Sequence, residues 1–429
     1  MNKRFFAALS AAALVLSSAQ AADPFELTGV PPGVTPLPIR LMGDFPAPGT
    51  AEGQPIESRA PELATDKPDF PGQTRAPSHA TAPFTVTTLT DALKSPWCIA
   101  FLPEGRMLVT ERAGTLRTVD AKGAISESIK NVPAVRANGV GGLLDVATDR
   151  AFARNHHIFF SYTEEAADDK ATIAVARATL DEAGGVLNDL KVIFRAYPLV
   201  PRTLAGNQGG KMVVANDGTL FLTVGDRSRS PPWDVAQRLD THLGKIVHIT
   251  ADGAPAPGNP FIGKAGALPE IWSLGHRNAL GIAFAPDGRL WSHENGPRGG
   301  DELNLITAGK NYGWPLVTHG IDYPGGEIAG GATAKAGVEQ PRYYWDPVIA
   351  PSGLAFYSGN LFPQWRGQAL IGALRGKLLD RIALAGDKVV NEEALLTDQE
   401  SRVRDVRTGP DGAVYVVTDD GKLLKLTPK

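Results

Sequence analysis

A chain of 429 residues with 43 Lys and Arg against 46 Asp and Glu, a formal net charge of -3, has no charge excess that would make nucleic acid or an anionic membrane its main partner. Its one cysteine, Cys98, excludes an internal disulfide, and the setting "SPWCIAFLP" reads as a buried strand with a small core thiol. The length would suit two or three ordinary domains, although repetitive all-β architectures exceed that size as single units.

In chain order, Lys3 and Arg4 precede a short apolar run that ends in small residues. This is the order of a secretory signal peptide over residues 1–21, and it predicts an exported protein, periplasmic or secreted. That run is too short to span a bilayer comfortably and no later stretch is long and apolar enough, so no membrane span is expected. Residues 22–83 hold thirteen of the 34 prolines, including "GVPPGVTPLP", and show neither strand nor helix period. They predict a proline-rich linker or arm with too little apolar surface to offset the cost of ordering it.

From Phe84 onward, short apolar runs alternate with Gly, Asp, Pro and Asn. One unit recurs, a turn followed by a β run: "LPEGRMLVTERAGTLRTVD", "ANDGTLFLTVGDR", "APDGRLWSHENG" and "GPDGAVYVVTDDGKLLKLT". Looser copies begin at 143 and 352. Glycine tolerates the positive φ that a hairpin needs after aspartate, so each unit supplies two strands of one blade. Six units predict an all-β, six-bladed β-propeller over residues 84–429, with "FTVTTLTD" completing the last blade; a pair of sandwiches accounts less well for the repeat. Loops from several blades would then build a ligand site at one mouth of the channel.

The densest polar stretch is "EIWSLGHRNALGIAFAPDGRLWSHENGPRGGDELNLITAGKNYGWP". Arg277 beside Asn278 offers a fork of donors for a carboxylate or a quinone oxygen, the plainer reading being an arginine paired with a carboxylate inside the propeller. "NGPRGGDE" mixes freed carbonyls with carboxylates, a hard-oxygen set of the kind calcium takes, or else a solvated acidic turn. No nucleophile elbow, H-E-x-x-H, P-loop or C-x-x-C-H occurs, and "GVGGLL" lacks the βαβ context of a dinucleotide loop.

The segments "EIWSLGHRNALGIAF", "ENGPRGGDELNLI", "GKNYGWP", "HLGKIVHI", "GGLLDVA" and "RVRDVRTGPDGAVYVVTD" resemble the soluble pyrroloquinoline-quinone-dependent aldose sugar dehydrogenases, the glucose/sorbosone dehydrogenase family, from about Leu93 to the C-terminus. The resemblance implies a quinone held in the propeller mouth, hydride transfer from a sugar C1, and calcium. It implies that Arg277 and Asn278 contact the reactive quinone oxygen, that Arg402 and Arg404 hold the cofactor's carboxylates, and that Arg375 lies over the cofactor. Gly296 and Pro297 would bind calcium through their carbonyls, and Glu302 and Tyr312 a second calcium. The family's basic histidine, in a loop reading His-x-x-Gly-Arg, is here Asn207 and the closing arginine is Lys211; two glutamines are Val140 and Leu280, and a histidine is Asn295.

An amide does not exchange a proton near neutral pH, so the expectation is a periplasmic sugar dehydrogenase that is slow or altered, with Asp226, His276 or Glu294 as substitute bases. The alternatives are a non-catalytic propeller that binds a sugar or other ligand, and a calcium-dependent lactonase. The expected partner is a small-molecule sugar; the electron acceptor is not legible.

Overall fold

The Asp-Gly pairs that reveal the repeat each close a tight turn between the first two strands of a blade. Gly218, Gly288 and Gly412 sit at φ of +85°, +82° and +82°, and their amides donate to Ala215, Ala285 and Gly409. In each turn the aspartate side chain also accepts the amide two residues on, at Thr219, Arg289 and Ala413. This is a type I turn followed by a left-handed glycine, the geometry that returns one strand against the next.

The computed structural model describes residues 51–227 and 233–429, so the expected signal peptide and residues 22–50 of the arm lie outside the described residues. The strands form six antiparallel blades, each an up-and-down meander. Their innermost strands are Pro96–Phe101, Leu143–Thr148, Gly209–Val214, Ala279–Phe284, Pro351–Phe356 and Val403–Thr408. Each packs against the next and the last against the first, which closes a ring. Phe84–Thr90 pairs with Leu423–Pro428 and so joins the N-terminal strand to the C-terminal blade, as expected. A sandwich pair is excluded.

The apolar core lies between blades and not along the axis. Phe221 and Ile246 of the third blade meet Ile282, Leu290 and Ile306 of the fourth, and Ile99 and Val109 of the first meet Tyr415 and Val417 of the sixth. Middle strands are therefore covered on both faces, which is why "LFLTV" is buried throughout instead of alternating.

A meander places its first and third turns at one end and its second turn and outgoing link at the other. The Asp-Gly turns mark the first end, leaving the remaining loops to build the opposite mouth. All six inner strands also begin with a register irregularity, between Pro96 and Cys98, Leu143 and Val146, Gly209 and Met212, Ala279 and Gly281, Ser352 and Leu354, and Val403 and Asp405. Such bulges re-aim side chains where a strand enters from a loop.

Residues 51–83 contain no strand or helix, yet they are docked. Ile56, Leu63, Gln73 and Ala76 are buried. Asp66 accepts from Tyr344 Oη at 2.6 Å and lies 2.8 Å from His319 Nδ1. Asp346 accepts the amides of Glu62 and Leu63, and Arg75 donates to the Asp346 carbonyl. The expectation of a plain linker underestimated this segment, which docks through polar contacts to Tyr344, Asp346 and Glu393 on the fourth and fifth blades and the link between them.

Candidate active site

Of the residues singled out from sequence, Lys211, Glu294, Glu302 and Arg404 lie on strands, whereas Asn207, Asp226, His276, Arg277, Asn278, Gly296, Pro297, Arg375 and Arg402 fall in the loops of the mouth opposite the Asp-Gly turns. There the link entering a blade is hydrogen-bonded to that blade's second turn: Arg112 N to Ser95 O, Arg227 N to Asn207 O, Asn295 N to Asn278 O, Arg375 N to Ile349 O and Asp419 N to Arg402 O. This pairing gives the mouth a rigid floor of backbone.

On one side, formed by the third and fourth blades, Asn207 stands at φ +40°, a left-handed conformation that asparagine tolerates. Its Nδ2 donates to Asp226 Oδ1 at 2.9 Å, and Trp314 Nε1 donates to Asp226 Oδ2 at 2.8 Å. Asp226 N donates to Arg277 O at 2.8 Å, joining this unit to the Arg277 loop. Gln208 folds its Nε2 onto Ala205 O while its buried Oε1 has no hydrogen-bond partner.

Arg277 departs from the plain carboxylate-pair reading. Its Nη1 donates to the carbonyls of Asn295 and Gly296, both at 2.8 Å, and its Nη2 to Tyr323 Oη at 3.2 Å. Its guanidinium lies 5.3 Å from the Trp314 ring centre, and its buried Nε has no partner. The carboxylate nearby, Glu294, instead holds the Arg277 backbone amide and His276 Nδ1. Asn278 accepts from Gly209 N at 3.1 Å and donates to Asn295 Oδ1 at 2.8 Å, so it fixes the glycine-rich loop to the loop at 295.

Across the ring, on the sixth and first blades, Arg402 Nε and Arg404 Nε grip one carboxylate, Asp419, at 2.8 and 2.7 Å. Burial works against ionising Asp419, but Arg404 and Arg402 hold its pKa down to about 2. Arg112 adds a third guanidinium: its Nη1 donates to Gly139 O, and burial and the neighbouring Arg404 both lower its pKa. Sequence reasoning missed Arg112; its place in "TERAG", at the second turn of the first blade, was the available signal. Arg375 lies half-buried in the second turn of the fifth blade.

Of the expected metal ligands, Gly296, Glu302 and Tyr312 line one small cavity with Arg277, Glu294 and Trp314, and Pro297 is buried beside it. Glu302 accepts from Asn304 Nδ2 at 3.0 Å; burial first, then the Glu294 charge, push its pKa well up. The Tyr312 hydroxyl is engaged by the backbone at Leu305 and Thr307, and its ring stacks on His276 at 4.8 Å. Among the described residues, no three His, Cys, Asp or Glu side chains converge as a metal centre.

Lys211 is not at the mouth surface. It lies in the channel beneath, 2% exposed, with Nζ 3.2 Å from Asp145 Oδ1 and 3.0 Å from Asp405 Oδ1. Arg407 pairs with the same Asp405 at 2.9 Å. The second, third and sixth blades thus meet through a buried ionic network that no sequence motif announced. Leu280 packs against an apolar core cluster.

Among the described residues no helix is long and apolar enough to cross a membrane. The family model for glucose/sorbosone dehydrogenase matches residues 93–425. The chain is 44% identical over 356 residues to the aldose sugar dehydrogenase YliI of Escherichia coli, covering 82% of this chain and 94% of that protein. It superposes on the apo-form crystal structure of the soluble E. coli aldose sugar dehydrogenase with a TM-score of 0.77 at 43% identity, over 81% of this chain and all of that one, 100%. The PQQ-bound form of the aldose sugar dehydrogenase from Streptomyces coelicolor gives a TM-score of 0.66 at 30% identity, over 82% and 100% of the two chains. Matching fold and sequence place the chain in the glucose/sorbosone dehydrogenase family.

Proposed function

We propose that the protein is a quinoprotein sugar dehydrogenase, exported to the periplasm, that oxidises the C1 hydroxyl of an aldose or related sugar. The observation that carries this reading is the two-pole mouth. Three arginines, Arg112, Arg402 and Arg404, gather around the single carboxylate of Asp419 on one side, and Arg277, Asn278 and Asp226 stand on the other. An excess of guanidinium charge suits the carboxylates of pyrroloquinoline quinone. The buried, unpartnered Nε of Arg277 fits an acceptor oxygen at the far pole. Arg375, in the fifth blade between the poles, adds a basic side chain at the rim.

When bound, pyrroloquinoline quinone supplies the two-electron acceptor for the sugar's hydride. The chain's own tasks are orientation and proton handling. Arg402 and Arg404, with their geometry fixed by Asp419, bind carboxylate; Arg277, braced by two carbonyls and Tyr323, orients and polarises an oxygen. For calcium the donor set is partial. Glu302 beside Glu294 forms a carboxylate pair that a divalent cation would relieve, with Tyr312 beside it, whereas the Gly296 carbonyl already accepts from Arg277. A calcium held there would have to share the Gly296 carbonyl oxygen with that guanidinium, leaving the Pro297 carbonyl as the other backbone donor.

The test is reconstitution: mature protein, pyrroloquinoline quinone and calcium, with dye reduction followed over a panel of aldoses. Quinone binding with sugar-dependent reduction is expected; failure to bind quinone overturns the reading. One observation favours a non-catalytic binding propeller, the amide at Asn207. Tight quinone binding with no turnover, and turnover gained in Asn207→His, would decide for it.

A further inference from the structure

We propose that Asp226 is the catalytic base of this chain, taking the C1 hydroxyl proton, and that Asn207 is the residue that positions it. This rests on the dehydrogenase reading above. The amide of Asn207 can donate but cannot take up a proton, and its donor points at a carboxylate: Nδ2 to Asp226 Oδ1, 2.9 Å. Trp314 Nε1 fixes the other oxygen at 2.8 Å. The two donors set the plane of the carboxylate, which is the orientation that proton transfer requires.

The surroundings hold this geometry. Asn207 and Arg227 stand at φ +40° and +63°; Arg227 N donates to Asn207 O, and Gly225 N to Gln208 O. Two left-handed non-glycine residues persist only where the structure over-determines them, and here both flank the proposed base. Asp226 N donates to Arg277 O, so the base is tied to the loop carrying the quinone-facing arginine. Among the described residues, the cationic groups Arg277, Arg227 and Lys245 are within its electrostatic reach.

The other two acids and bases in the motif are engaged elsewhere. His276 is 1% exposed, held by Ser273 Oγ at 2.8 Å and Glu294 Oε1 at 2.9 Å. Glu294 holds both that imidazole and the Arg277 amide.

In the step, the C1 O–H bond breaks and its proton passes to Asp226. The freed electron pair becomes the second C–O bond as hydride leaves C1 for the bound quinone. The sugar loses two electrons and becomes a lactone, and Asp226 returns its proton to solvent.

The experiment uses the full mature protein loaded with pyrroloquinoline quinone and calcium, and reads quinone affinity by fluorescence titration beside kcat and its pH profile. Asp226→Asn should lower kcat by about 10²- to 10⁴-fold while quinone affinity changes less than about threefold. The double variant Asp226→Asn with Asn207→His should recover part of the loss and gain an acidic limb in the imidazole range, near pH ~6.5. If Asp226→Asn does not fold, the wild-type profile decides: an acidic limb without an imidazole-range ionisation supports a carboxylate base, and a limb in that range overturns it. Asp226→Asn turning over within about threefold of wild type with quinone bound overturns the inference alone; absence of quinone binding by the wild type overturns it together with the dehydrogenase reading.

Discussion

Lys211 shows how a residue of the glycine-rich loop serves the channel and not the chemistry. Burial disfavours its charge, but Asp145 and Asp405 more than compensate and raise its pKa. Removing one partner of such a network strands the others, so Lys211→Met should destabilise the fold by about 3–5 kcal/mol. A denaturant titration that finds less than about 1 kcal/mol would contradict that role. The arginine pole makes a different prediction: Arg404→Ala or Arg112→Ala should weaken quinone binding by about 10- to 100-fold, the worth of one charge-assisted hydrogen bond. Sugar KM at saturating quinone should stay nearly constant. Equal losses in both quantities would place these arginines elsewhere than on the cofactor's carboxylates.

At the scale of the element, glycines at the two ends of one blade have opposite consequences. A Cβ at Gly218 meets nothing, so Gly218→Ala carries only the left-handed penalty of about 1 kcal/mol and should leave quinone binding intact. A Cβ at Gly225 would collide with the Asn207 carbonyl. Gly225→Ala should therefore displace the Asn207–Asp226 unit, lowering turnover far more than the melting temperature suggests; measuring both variants side by side separates the two ends. The bulges at the entry of all six inner strands belong to the same scale. They place Asp145, Lys211 and Asp405 in the channel, and nothing in the local sequence marks them, because a bulge is defined against the partner strand.

The whole molecule is closed twice, by the N-terminal strand pairing into the last blade and by the arm docked over the fourth and fifth. Asp346 receives the arm at Glu62 and Leu63. Burial pushes its pKa up to about 7, those amides opposing and Asp66 and Glu62 adding to the rise. The unfolded carboxyl titrates near ~4, so the folded state binds the extra proton. The contribution is complete below pH ~4 and declines as pH rises to about 7. Asp346→Asn, which keeps an acceptor for both amides, should flatten the fall in melting temperature across that window, a difference on the order of 3 kcal/mol. An unchanged pH slope would show that Asp346 titrates normally.

The β runs, the Asp-Gly turns and the repeat they punctuate were readable from sequence, because turn chemistry and strand periodicity are local properties. They were sufficient for the propeller, and the loops at 277, 296 and 402 were recognisable by motif. What only the tertiary structure decided were relations across blades: that Arg112 joins Arg402 and Arg404, that Lys211 bridges Asp145 and Asp405, that residues 51–83 are docked, and that Asn207 meets Asp226 across 19 positions of chain. The first two arise from ring closure, which brings different blades together; the arm docks from outside the ring, and Asn207 meets Asp226 because the third blade folds its entering link against its own second turn.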